Sequence, residues 1–202
     1  MRQFYEDQWA DAPPDPEPWA WERRRALLLG EAKPGERVLD LGCGAGRFVA
    51  ALAAAGVEPV GVEIAEGALD RARRNAPGAD LRLVEPDGSL PLGHASIDLV
   101  WCSEVLEHVA DIGQVLVEAR RVLRPRGRLL VTVPFHGRVQ AALIALTRFE
   151  AHFDPLGQHL RFFTRRSLAA TLDNAGFEQL DIRPWGGPPL LRRSLVARAV
   201  RP

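Results

Sequence analysis

The chain has 202 residues, 47% hydrophobic and 26% charged, with 26 basic and 26 acidic side chains cancelling to zero. That is enough for one well-buried α/β core and short for two, in an ordinary soluble globular composition. Zero net charge supplies no bulk field to gather nucleic acid or a membrane surface, no apolar run reaches membrane-spanning length, and two cysteines are too few for a disulfide framework. The opening MRQFYEDQW is polar and acidic with no apolar signal core, so a reducing, cytoplasmic setting is expected. Lys33 is the only lysine, an excess of arginine that reads as genome composition rather than as a phosphate-binding surface.

Residues 1–18 mix Phe4, Tyr5 and Trp9 with acids and with Pro13, Pro14, Pro16 and Pro18. The prolines argue against a continuous helix, which leaves a loosely packed arm or a segment lying over a cleft. Trp21, Arg25, Leu28 and Leu29 stand at helical spacing and predict a helix over 19–29, stopped near Gly30. After the Pro34-Gly35 turn, residues 38–48 read VLDLGCGAGRF: a short buried strand, a glycine-rich turn, then a helix from near Arg47. Glycine is needed where the backbone takes positive φ or lets a ligand lie against it, and here Gly42, Gly44 and Gly46 alternate. The helix start offers unpaired N–H donors and a positive dipole end, and Asp40 sits at the strand's carboxyl end, the usual ligand crevice of an open sheet. A dinucleotide fingerprint would need glycine at 47, where Arg47 stands. An acid two residues before the first glycine would repel a pyrophosphate and suits a cationic amino-acid head group. The ligand implied is a nucleoside joined to an amino acid; a tight turn without ligand is the plain alternative.

An alanine-rich helix over 48–55 leads to an apolar strand over 59–64 that closes on Glu63, 23 residues beyond Asp40. An acid there is placed to accept both hydroxyls of a ribose. Residues 65–75 form an amphipathic helix with Leu69 and Ala72 inward and Arg71, Arg73 and Arg74 on a solvated face. A third strand over 81–84 precedes the turn Pro86-Asp87-Gly88-Ser89. The run 97–102, apolar apart from Asp98, predicts a strand covered on both faces, followed directly by Ser103-Glu104-Val105-Leu106-Glu107-His108-Val109. Asp111 is a good N-cap for a helix over 112–123 with Val115, Leu116, Ala119 and Val122 inward. Arg124–Gly127 turns the chain into a strand over 128–133. A helix over 167–175 and strands over 177–183 and 194–200 complete the pattern. The loop between these last two is too short for a crossover helix, so they should pair antiparallel.

The D-x-G-x-G-x-G stretch resembles motif I of the class I S-adenosylmethionine (SAM)-dependent methyltransferases, and S-E-V-L-E-H-V recurs across the same resemblance. The match covers residues 35–133 strongly and 164–200 by pattern. It implies an α/β fold, a doubly wound seven-stranded Rossmann-like sheet in the order 3-2-1-4-5-7-6 with the last strand antiparallel. One domain would span 1–202, with 1–30 as N-terminal arm and helix. The cofactor implied is SAM, leaving as S-adenosylhomocysteine, held by Asp40, Gly42, Cys43, Gly44, Gly46, Glu63, Ile64, Asp87, Gly88 and Ser103. Asp87 would meet the adenine amino group, although its turn is one residue shorter than usual. The resemblance also lays the N-terminal segment over the cofactor cleft, which would make Tyr5 or Trp9 part of a lid.

Residues 135–163 are longer than a sheet connection requires, and such inserts are usually functional loops or lids. Residues 139–146 are apolar enough for a helix that covers something. The aromatics and histidines that follow have two readings. Either they line a pocket for a flat acceptor, with Tyr5, His152, His159 and Phe162 as substrate contacts, or they are the insert's own core. The histidines have three: packing residues, a general base in His108 or His159, or metal ligands. On a helix Glu104, Glu107 and His108 would share one face, with His159 as a fourth ligand. This resembles the E-x-x-E-H arrangement of some metal-dependent O-methyltransferases, including those of ubiquinone synthesis and small-RNA end methylation, and would suit magnesium or manganese. The expected activity is methylation of a small-molecule acceptor, at oxygen before nitrogen or carbon. The alternatives are a nucleic-acid (RNA) methyltransferase and a non-catalytic SAM-binding subunit. Neutral charge and the lack of N-P-P-[YFW] argue against the former.

Overall fold

In this computed structural model the residues described are 2–13, 16–86, 88–154, 157–188 and 191–202. Two helices, α1 (Arg2–Asp11) and α2 (Trp21–Glu31), precede the alternation of β1 (Arg37–Leu41), α3 (Arg47–Ala54), β2 (Glu58–Glu63), α4 (Glu66–Asn75) and β3 (Asp80–Leu83). The second half runs β4 (Ile97–Ser103), α5 (Ile112–Val122), β5 (Leu123–Pro134), α6 (Arg138–Thr147), α7 (Phe149–His152), α8 (Arg165–Asn174), β6 (Glu178–Trp185) and β7 (Ser194–Val200). The sheet has the order β3-β2-β1-β4-β5-β7-β6, parallel through β5, with β7 antiparallel to both neighbours.

The period of two decides what each face buries. Leu39, Leu41, Val100, Cys102, Leu129 and Val131 point to the side covered by α5 and α8, where Leu116, Leu168 and Leu172 meet them. Val38, Leu99, Trp101 and Leu130 point the other way, onto Leu28 of α2 and Phe48 and Leu52 of α3. Asp40 shares the parity of Val38, and its neighbours across the ladder are Gly61 and Trp101. Asp111 caps α5 by accepting from the Gln114 N–H at 2.9 Å, and Thr164 with Ser167 forms a capping box on α8.

Three expectations change. The stretch 124–127 is a bulge inside β5 rather than a turn before it: the ladder passes from Ile97–Leu123 to Leu99–Arg128, with Arg126 at φ 66°. The N-terminal segment is a helix, not a loose arm, because its prolines lie beyond the helix end and stop it rather than forbid it. Arg71 is not on an idle face: it donates to the carbonyls of Trp9, Ala12 and Pro13 and holds α1 against α4. Among the described residues no helix is long and apolar enough to cross a membrane.

Candidate active site

A cleft of about 400 Å³ opens at the carboxyl ends of β1, β2 and β4, where an open parallel sheet binds its ligands. Its floor is the glycine turn after β1, with φ of 78° at Gly42, 50° at Gly44 and 76° at Gly46. The three glycines have different reasons. A Cβ at Gly42 would lie 2.6 Å from Val105, so this glycine lets the 103–109 loop close over the turn. At Gly44 it would meet Trp9 at 3.0 Å, so the roof helix α1 rests directly on the floor. At Gly46 it would meet the backbone of Ala72 at 2.9 Å, which makes this a helix-packing glycine with no part in the cleft.

Gly42, Gly44, Glu63, Ile64 and Gly88 line the cleft as expected. The Glu63 carboxylate accepts from the N–H groups of Gly44 (3.0 Å), Ile64 (2.7 Å) and Ala65 (3.2 Å), which ties the two turns together. Burial raises its proton affinity and those three donors oppose the rise. Asp40 lies just beneath the floor, 1% exposed, with Oδ2 lacking a partner. Its burial, reinforced by Glu63, pushes its pKa up to about 8. The Cys43 side chain turns away from the cleft: it is buried with Val49, Leu69 and Ala76, leaving only its main chain near the turn. Ser103 is likewise set back, its hydroxyl 2.8 Å from that of Thr132. Asp87 lies outside the described residues.

Helix α1 forms the roof, presenting Tyr5, Gln8 and Trp9. Its placement is built from polar contacts: the Glu6 carboxylate accepts from the first N–H groups of α4, Glu66 at 2.6 Å and Gly67 at 3.1 Å, and so acts as a cap supplied from elsewhere in the chain. Arg2 donates to the carbonyls of Ile64 (3.0 Å) and Val84 (2.8 Å). Burial, then Glu63 and Glu107, push the Tyr5 hydroxyl up to about 12, so it stays protonated.

The 103–109 segment is where geometry departs most from expectation. It is a turn rather than a helix, and Glu104 takes φ 55°. That conformation swings Glu104 away from its neighbours, into an ion pair with Arg24 at 2.9 Å and a hydrogen bond from Thr132 at 3.0 Å. Glu104 therefore leaves the proposed metal set, because the shared helical face that would have placed it there does not exist. Glu107, His108 and His159 do come together, each with a ligand atom within 4.8 Å of the others. Glu107 is fully buried with no hydrogen bond to either oxygen, and burial followed by the Glu104 charge keeps it protonated. His108 lines the cleft, its Nδ1 3.0 Å from the Gln158 carbonyl and its Nε2 3.8 Å from Glu107. Burial lowers the pKa of both His108 and His159, so both imidazoles are neutral at pH 7.

Of the expected substrate contacts, Tyr5 lines the cleft and His159 stands beside His108, ring centroids 4.9 Å apart. His152 and Phe162 do not reach it. They pack with Phe153 and His136, with His152–Phe162 centroids at 5.4 Å and Nε2 of His136 and His152 at 3.0 Å, so they are the insert's own core. Arg24, whose role no local sequence pattern announces, is the buried partner of Glu104 at the cleft wall. It sits one turn before Leu28 on the inner stripe of α2, where a 4% exposed arginine needs a buried acid.

The methyltransferase domain family matches residues 16–182. Over 111 residues the chain is 44% identical to an uncharacterized 37.1 kDa protein in transposon TN4556 of Streptomyces fradiae, which covers 52% of this chain and 32% of that protein. Over 169 residues it is 31% identical to the ubiquinone biosynthesis O-methyltransferase of Hahella chejuensis, covering 80% of this chain and 71% of that one. The chain spans 28% to 64% of the first three curated relatives it matches. In fold it resembles the S-adenosylmethionine dependent methyltransferase from Mesorhizobium loti, with a TM-score of 0.69 at 20% identity over 91% of this chain and 98% of that one. With this sheet order, cleft and match, the chain belongs to the SAM-dependent methyltransferase family.

Proposed function

We propose that the protein transfers a methyl group from SAM to an oxygen atom of a small-molecule acceptor. SAM supplies an electrophilic methyl on a sulfonium, whose thioether leaves with the bonding pair. The donor set suits it: Asp40 has a buried, unpartnered oxygen for a cationic amino group, Glu63 keeps a lone pair on Oε2 for a ribose hydroxyl beside the three N–H groups it already accepts, and Gly42 and Gly44 line the cleft with main chain. The protein's remaining work is to orient the acceptor in line with the methyl and to exclude water, for which α1 provides the roof.

The observation that carries the choice of oxygen is the neutral imidazole of His108 in the cleft wall. A hydroxyl acceptor must lose its proton as the O–C bond forms, and a neutral imidazole takes that proton at Nε2 while Nδ1 donates to the Gln158 carbonyl. Tyr5 lies edge-on to His108, centroids 6.1 Å apart, and limits how the acceptor enters. The test is transfer of labelled methyl from SAM across phenols, carboxylates, amines, nucleosides and RNA. Label in an O-methyl product of a phenol or carboxylate supports the reading. Label in RNA alone, or SAM binding without turnover on any acceptor, replaces it with one of the two alternatives.

A second reading rests on Glu107, His108 and His159 meeting within 4.8 Å. Those three groups have the donor chemistry for magnesium or manganese, which would acidify the acceptor hydroxyl in place of a base. Adding a chelator to the same assay separates the two: transfer that survives it leaves the base, and transfer lost and restored by either ion leaves the metal.

A further inference from the structure

Zero net charge conceals a segregation. Residues 135–166 and 186–193 carry seven arginines against Glu150 and Asp154, so the rest of the chain is acidic by the same margin. The fold brings these stretches together. Phe135 donates its N–H to the Arg193 carbonyl at 2.9 Å and pairs on its other side with Phe163, so 163–166 and 191–193 flank the start of α6. Arg138, Arg148, Arg165, Arg166 and Arg193 are all exposed there.

The same region is apolar where it should be polar. Ile144 is the only buried residue of the ten in α6. On the outward face Val139, Leu143 and Leu146 form a stripe at i, i+4 and i+7, exposed by 47%, 46% and 83%. Phe149 (56%) and Phe153 (36%) extend it through α7, and Leu160 and Leu191, in the same two stretches of chain, are exposed as well. Of the eleven exposed large hydrophobics among the described residues, seven fall in this one region. A water-facing helix does not keep such a stripe without something to cover it.

We propose that the α6–α7 face docks on an anionic lipid surface. An outward aliphatic and phenyl stripe with arginines at both ends, Arg138 and Arg148, is the pattern of an interfacial helix: the stripe enters the acyl boundary and the guanidinium groups stay at phosphate level. The insert is also tied to the cleft, through Leu160 N–H to the Glu107 carbonyl at 2.8 Å and the Gln158 carbonyl to His108. Docking therefore places the cleft beside the lipid boundary. This inference does not depend on methyl transfer.

The experiment is co-sedimentation of the whole chain with phosphatidylcholine vesicles, with and without phosphatidylglycerol, at low and high salt. Wild type should pellet with the anionic vesicles and be released by salt. Leu143→Ser/Leu146→Ser and Arg165→Glu/Arg166→Glu should each weaken binding roughly tenfold or more. Both should melt within a few degrees of wild type and bind S-adenosylhomocysteine unchanged, since neither pair touches the cleft. Wild type remaining in the supernatant, or pelleting equally with both substitutions, overturns the proposal. So does sedimentation velocity showing a wild-type dimer that Leu143→Ser/Leu146→Ser converts to monomer, because a second copy would then be what covers the stripe.

Discussion

The two ends of the cleft are made from different materials. At the cofactor end the fixed parts are chiefly main chain: two positive-φ glycines, Gly42 and Gly44, and the N–H groups of Gly44, Ile64 and Ala65, gathered on the one Glu63 carboxylate that accepts all three. At the other end the wall is side chains, Tyr5 of α1 and His108 of the 103–109 turn, and behind it stands an insert that meets the cleft through Gln158 and keeps its own small aromatic core, joined to the sheet through Phe135 and Phe163. Main-chain geometry limits which residues a position accepts, so the cofactor end is tightly specified. An aromatic core needs only volume and contact, which leaves the acceptor end free to change without disturbing the sheet.

That contrast can be broken by substitution, and the largest effect belongs to His108. His108→Ala should lower turnover about a thousandfold, as loss of a general base does, while S-adenosylhomocysteine affinity holds within about twofold. Turnover that survives this change removes His108 from the chemistry. Next comes Glu63→Ala, which takes away the acceptor of three N–H groups as well as the proposed ribose contact. Cofactor affinity should fall about a hundredfold by calorimetry.

The pH dependence of cofactor binding is smaller and has a definite sign. With its pKa raised to about 8, Asp40 is protonated in the ligand-free protein at pH 6 and ionised above pH 8. A cationic amino group prefers the carboxylate, so SAM affinity should rise by up to about tenfold per pH unit between pH 6 and 8 and then level. Asp40→Asn should bind more weakly and show a flat profile; an unchanged slope would assign the titration elsewhere. Stability without ligand runs the other way. A carboxyl whose folded pKa is raised contributes most below its unfolded pKa near 4, and that contribution is lost as pH climbs through about 8. The smallest effect is Phe162→Ala, which should cost about 1–2 kcal/mol of stability and leave cofactor affinity untouched.

What could be read in the sequence follows the same division. The β7 bounds Ser194–Val200, the Asp111 cap and the positions of Asp40 and Glu63 are written in local chemistry, each decided by a few neighbouring residues, whereas the strand order was implied by the family resemblance alone. Misjudged features were set by distant partners. Glu104 was expected on a helical face with Glu107 and His108, but Arg24, eighty positions earlier, draws it aside at φ 55°. Arg71 was expected in solvent because nothing nearby announced that α1 would lie across it. Zero net charge likewise hides a local excess, because a sum over the chain cannot show that its arginines gather around α6.

The most direct test is calorimetric titration of S-adenosylhomocysteine into wild type, Glu63→Ala and Phe162→Ala. The predicted result is binding to wild type and Phe162→Ala with equal affinity, and about a hundredfold loss in Glu63→Ala. No binding to wild type, or a Phe162→Ala loss as large as that of Glu63→Ala, would contradict a cofactor end that is built independently of the insert.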